Sequence, residues 1–142
     1  MATVEEAIDV DVPVHTAYDR WTKFEQFPEF MDGVVEVRKL DETIVHWVAE
    51  VGGHRHEWDA EIISQVPERL IEWRAIQASE PSGEVRFERL APTRTRVHVH
   101  MEYDPEGAAE AVGSTLGIDD HQVRKDLKQF KQVVEAWAAA VE

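Results

Sequence analysis

Residues 119–141 read D-D-H-Q-V-R-K-D-L-K-Q-F-K-Q-V-V-E-A-W-A-A-A-V. Val123, Leu127, Phe130, Val134, Trp137 and Val141 recur at steps of four, three, four, three and four, which draws one apolar stripe down a long amphipathic helix. The stripe is too short for a coiled coil, so it needs another apolar surface, and the helix is expected to lie across a sheet. Asp119, with Gln122 three residues on, forms a capping box at its start. Ahead of it, Asp104-Pro105 and the run Ala108, Ala109, Ala111, Val112, Leu116 predict a further helix that Gly117 ends.

Working back from that helix, the period between Asp32-Gly33 and Asp104 is two. Val35 and Val37 alternate with charges, and Asp41-Glu42 marks a turn. Val45, Trp47, Ala49 and Val51 form a stripe ended by Gly52-Gly53, a hairpin signal, and Trp58, Ala60 and Ile62 form the next. Pro67-Glu68 turns the chain into Ile71, Trp73 and Ala75. Val85 and Phe87 follow Pro81-Ser82-Gly83, and Val97, Val99, Met101 and Tyr103 follow Ala91-Pro92-Thr93. With Val4 to Val12, which alternates despite Glu6 on its apolar face, this predicts seven strands joined by short turns, hence antiparallel neighbours.

Between the first two strands, Pro13 suits a first helical position, and Val14, Ala17, Tyr18 and Trp21 follow at helical spacing. Thr22 with Glu25 reads as a capping box that restarts a second short helix, which Pro28 ends early. That joint, W-T-K-F-E-Q-F-P-E-F-M at 21–31, is the densest aromatic stretch of the chain.

A chain of 142 residues with 43% hydrophobic content fits one domain, 1–142, with a real core. Twenty-nine carboxylates against fifteen basic residues give a net charge of −14, which repels nucleic acid and anionic lipid headgroups. No apolar run reaches the ~18–20 residues of a membrane span and no signal-peptide pattern opens the chain, so a cytoplasmic protein without stable membrane insertion is expected. There is no cysteine for a disulfide or a thiol nucleophile. A neutral, apolar or cationic small molecule is the partner this charge leaves open.

The segments V-D-V-P-V at 10–14, Y-D-R-W-T-K-F-E-Q-F-P-E-F-M at 18–31, W-D-A-E-I at 58–62 and I-E-W-R at 71–74 carry a resemblance. S-G-E-V-R-F at 82–87, T-R-V-H-V at 95–99, Y-D-P-E-G at 103–107 and D-L-K-Q-F-K at 126–131 extend it over nearly the whole chain. The sequence resembles the START and birch-pollen-allergen superfamily, in particular the bacterial polyketide cyclase/dehydrase and lipid transport proteins (SRPBCC), including coenzyme-Q-binding START-type proteins. The resemblance implies an α+β helix-grip fold: a seven-stranded curved antiparallel sheet wrapped around the long C-terminal helix, with two short helices between strands 1 and 2. It also implies a cavity between sheet and helix.

The inward stripes then become candidate ligand-binding lining: Trp47, Trp58, Ala60, Ile62 and Trp73 from the middle strands, and Phe87, Val99, Met101 and Tyr103 from the later ones. Leu127 and Phe130 face them from the helix, and Phe27, Phe30 and Met31 stand beside Pro28 as an end wall. The same stripes are equally what ordinary core packing requires. A sheet bent round one helix, though, presents more concave area than one stripe fills.

His54 and His56, two apart on a strand, are metal candidates, but zinc wants three or four converging ligands. His98 and His100 alternate against the apolar stripe and face out, toward an acidic surface. Tyr103 is the best catalytic candidate, in phase with Met101, whereas Arg74 follows Trp73 and falls on the outer face. No Ser-His-Asp, P-loop, GxGxxG or HExxH pattern is present, and no cofactor is expected. The expected function is binding, as carrier or sequestering protein, of a hydrophobic small molecule such as a lipid, quinone or polyketide-like aromatic. The alternative is an aromatic polyketide cyclase/dehydratase, and a weaker one is a protein-docking role for the aromatic joint.

Overall fold

The computed structural model describes residues 2–31, 34–51, 54–76, 82–103 and 120–141, with backbone alone at Ala2, Val51, His54, His56, Tyr103, 120–122 and 140–141. The strands are β1 (Ala2–Val10), β2 (Val34–Lys39), β3 (Ile44–Val51), β4 (His54–Val66), β5 (Leu70–Ala75), β6 (Ser82–Ala91) and β7 (Arg94–Tyr103). They form one seven-stranded sheet in the order β1-β7-β6-β5-β4-β3-β2, with every pairing antiparallel. Helix α1 (Val14–Trp21) and a 3-10 helix (Phe24–Glu29) carry the chain from one edge of the sheet to the other, and helix α2 (Asp120–Val141) packs on β1 and touches α1. This is the helix-grip arrangement. The helix expected from Asp104 to Leu116, and the Asp119 cap, lie outside the described residues.

The inward stripes follow the predicted alternation: Val45, Ile71, Val85, Phe87, Val97 and Val99 all join the core. Three register shifts, at Val34/Glu36, Ile62/Ser64 and Arg89/Ala91, bend the sheet and reset which face a residue takes. That corrects the reading of β2. Val37 is buried but Val35 is half exposed, because the first shift spans Val34 to Glu36 and makes Val35 the extra, unpaired residue.

The polar turns work as their chemistry suggests. Asp41 Oδ1 accepts the N–H groups of Thr43 and Ile44, both at 2.8 Å. Arg69 N–H donates to Val66 O at 3.0 Å, with Glu68 in the left-handed region at φ 64°. Glu6 keeps its place on the apolar face of β1 because Arg124 of α2 reaches over it, Nε to Oε1 at 2.8 Å.

Both helix starts differ from expectation. Pro13 is the N-cap of α1 rather than its first residue, and its carbonyl accepts from Thr16 and Ala17. Thr22 closes α1 instead of opening the next helix: its hydroxyl donates to Asp19 O at 2.7 Å. The 3-10 helix has Lys23 at its N-cap, without a side-chain bond, and is tied down by Arg20 instead. The Arg20 guanidinium is buried beneath that helix, bonded to Gln26 and 3.4 Å from Glu29.

In α2 the buried face is Leu127, Phe130, Val134 and Ala138; Trp137 is only half-buried. An unsupercoiled helix drifts from a strict seven-residue repeat, and here the drift brings Ala138 over the sheet. Glu135 anchors the same helix to the end of β1, where its carboxylate accepts the Asp11 N–H at 2.8 Å and pairs with Lys131. Burial would raise the Glu135 pKa, but Lys131 and the Asp11 N–H outweigh it and hold it below the ordinary value.

Thr95 is fully buried, and its hydroxyl donates to Val12 O at 2.9 Å, joining β7 to the segment before α1. Thr95→Val should keep the shape and strand the Val12 carbonyl, costing about 1–3 kcal/mol. Chemical denaturation checks this, and an unchanged midpoint would show that the bond contributes nothing.

Candidate functional site

On the inside of the sheet, two aromatic groups meet. The first is a ring cluster under the helical joint. Trp21 lies at its centre, 5.7 Å from Phe27, 5.9 Å from Phe30, 6.4 Å from Phe87 and 4.7 Å from Phe130 by ring centroids. Phe30 also touches Phe130 at 5.2 Å, and most of these pairs are edge-to-face, the preferred geometry for ring quadrupoles. The second group is a cross-strand pair, Trp47 of β3 against Trp58 of β4. Their planes are 4° apart and their centroids 5.9 Å apart. Phe27 joins the two groups, 5.5 Å from Trp47.

The candidate lining thus separates into packed and open parts. Phe27, Phe30, Ala60, Phe87, Val99, Leu127 and Phe130 are buried, and Trp58 packs with Ala49 and Ala75 in a small satellite cluster. Trp47, Ile62, Trp73, Met31 and Met101 stand against the core but are only partly buried. The three central tryptophans do not converge: Trp73 pairs with Ile62, two inward positions along β4 from Trp58. Tyr103 ends β7 opposite Ala2, and His54 and His56 pair with Val51 and Ala49; their side chains lie outside the described residues. Among the described residues no group of three or more potential ligands is placed to hold a metal.

The outer face is polar and internally paired. His98 meets Glu88 at 3.1 Å and His100 meets Glu5 at 2.8 Å, as their strand phase implies. Arg74 is on this face too, 3.2 Å from Glu61. A shallow depression of about 480 Å³ lies over Ala7 between Glu84, Arg86, His98 and His100, and those charges are matched to one another or to adjacent carboxylates.

One outer-face group had no signal in the sequence beyond its alternation. His46 backs directly onto the indole pair, with Nδ1 2.6 Å from Asp59 and Nε2 2.9 Å from Glu57; Arg38 is opposite it on β2. The hydrogen bond to Asp59, then that to Glu57, raises the His46 pKa above 6.5, and the bond to Glu5 raises that of His100. A raised folded-state pKa adds stability that is complete below the unfolded value and lost as pH rises through the folded one. The unfolding midpoint should therefore fall as pH rises from the ordinary histidine value through the raised folded-state ones, and His46→Gln should flatten part of that slope. A wild-type midpoint that stays level or climbs over this range contradicts the assignment.

With this geometry described, comparison with known proteins places the chain. Residues 10–132 match the model of a family described as polyketide cyclase / dehydrase and lipid transport. The chain belongs to that family. An uncharacterised 17.2 kDa protein of Streptomyces lincolnensis is 43% identical over 136 residues, covering 95% of this chain and 91% of the relative. Among solved structures, a Deinococcus radiodurans protein is similar at TM-score 0.72 and 28% identity, over 92% of this chain and 95% of its own. A Streptomyces aromatase/cyclase matches at TM-score 0.75 and 18% identity, over 94% and 93% of the two chains. A START superfamily protein of Mycobacterium smegmatis matches at 0.74 and 15%, over 95% and 98%. At those last identities the likeness is one of fold. Among the described residues no helix is long and apolar enough to cross a membrane.

Proposed function

We propose that this family member holds a hydrophobic small molecule between the concave face of the sheet and α2, as a carrier or sequestering protein. The observation that carries this reading is apolar surface left partly open on the inside. Trp47, Ile62, Trp73 and Met101 stand on the core side of their strands and pack against the core without being closed by it. Protein interiors are normally packed to crystal-like density, so inward indoles left accessible point to a guest. The parallel Trp47 and Trp58 rings favour a planar one, such as a quinone head or a polyketide-like aromatic, over a plain acyl chain.

Two of the described inner-face polar groups are engaged within the protein, which favours carriage over catalysis. Glu6 is held by Arg124 and Thr95 by Val12 O, so neither is poised for proton transfer. Native mass spectrometry with organic extraction of the purified protein, followed by titration with a quinone and a fatty acid, tests the reading. A planar guest that quenches tryptophan fluorescence more strongly than the fatty acid supports it. Equal responses remove the planar preference, and binding of neither removes carriage. Turnover of a poly-β-keto substrate, with the rate but not the binding lost in Tyr103→Phe, would replace it with a cyclase.

A further inference from the structure

Tyr18 of α1 is buried, with its ring edge-on to Phe87 at 5.5 Å, and its hydroxyl is shielded from solvent and has no hydrogen-bond partner among the described residues. The other described side-chain atom in that position is Arg20 Nε, but its guanidinium is already engaged by Gln26 and Glu29. Thr95, also fully buried, is bonded to Val12 O. Only the Tyr18 side chain is therefore wholly uncommitted among the buried polar ones described.

Leaving a buried hydroxyl without a partner destabilises the folded state, and phenylalanine would avoid that cost. Phenylalanine fills the neighbouring core positions at 27, 30, 87 and 130. Buried tyrosine hydroxyls ordinarily find a partner. The location suggests which one. Phe87, the ring Tyr18 leans on, is on the inner face of β6, and Trp21, one turn along α1, links Phe87 to Phe130 of α2. Tyr18 thus stands in the packed junction of α1, β6 and α2, on the same inner side of the sheet as the partly open residues to which the carrier reading assigns the guest.

We propose that the Tyr18 hydroxyl donates a hydrogen bond to an oxygen of the bound guest and selects oxygen-bearing aromatic molecules over pure hydrocarbons. This rests on the carrier reading. It makes Tyr18 a specificity-determining residue, and the closing comparison separates the two ideas. α-Tetralone and tetralin share a shape and differ at one carbonyl, so each is titrated calorimetrically into wild type and Tyr18→Phe, alongside unfolding midpoints.

One hydrogen bond made only with the ketone predicts that Tyr18→Phe weakens α-tetralone binding about five- to tenfold. Tetralin should bind both proteins equally, and the variant should unfold at an unchanged or higher midpoint. A variant that binds both guests as the wild type does overturns the role of Tyr18 and leaves carriage standing. A lowered midpoint with both guests weakened alike makes Tyr18 purely structural. If the wild type binds neither guest, carriage fails, and the proposal fails with it.

Discussion

Phe30→Ala should lower the stability of the protein by about 3–5 kcal/mol, the usual range for emptying a packed aromatic site. At this chain length that corresponds to a fall of roughly 6–20 °C in the unfolding midpoint. Phe30 is 1% exposed and meets Trp21, Phe27 and Phe130 at once, so the substitution removes three ring contacts from the centre of the core. Its partners come from α1, the 3-10 helix and α2, three elements that cannot close together over the gap without shifting against the sheet. A loss under about 1 kcal/mol would mean that the site collapses freely and the cluster is loosely built.

Milder substitutions at Phe27 and Phe30 separate packing from ligand contact. Every ring that Phe30 touches is itself a core ring, whereas Phe27 also touches Trp47, which stacks on Trp58. If the open indoles bind a guest, Phe27→Leu should alter its affinity while Phe30→Leu alters stability alone. These milder variants keep most of the volume and remain folded for the titration. Equal effects on affinity from both would remove the distinction between a core residue and a wall residue within this joint.

Much of this was legible from spacing, because burial on one side imposes period two on a strand and 3.6 on a helix. The stripes from Val45 to Met101, and the Leu127, Phe130, Val134 run, stand where that logic puts them. What spacing does not carry is any contact that depends on a second element. Arg20 lies off the apolar stripe of α1 and is buried only because the 3-10 helix folds over it. Thr22 fits a capping box, yet its hydroxyl turns back to Asp19. Val35 changes face at a register shift, and the His46 pairing needs β3 and β4 aligned. The candidate site divides in the same way. The inward indoles are readable from alternation, while the plane-parallel pairing of two of them, and the uncommitted hydroxyl of Tyr18, are products of tertiary packing.

Gly83→Ala tests that packing where local preference and tertiary contact pull in opposite directions. In a strand interior, alanine is ordinarily favoured over glycine by about 0.5–1 kcal/mol, so propensity alone predicts a small gain. A Cβ at position 83, however, would lie 2.4 Å from the carbonyl oxygen of His100, 3.0 Å from Met101 Cγ and 3.1 Å from Met101 Cα. The first obstacle is backbone in the neighbouring strand. It is held by the pairing of Gly83 with Met101 on β7, while β5 brings Trp73 against the other side of Gly83. Relief therefore requires β6 and β7 to separate, and the expected outcome is a loss of about 1–3 kcal/mol or more. Met101 and Trp73 are partly open on the inner face, so if they bind the proposed guest the same displacement should weaken that binding as well. A denaturation midpoint at or above that of the wild type would show that the strands yield easily there. The close approach at Gly83 would then have no part in shaping the concave face.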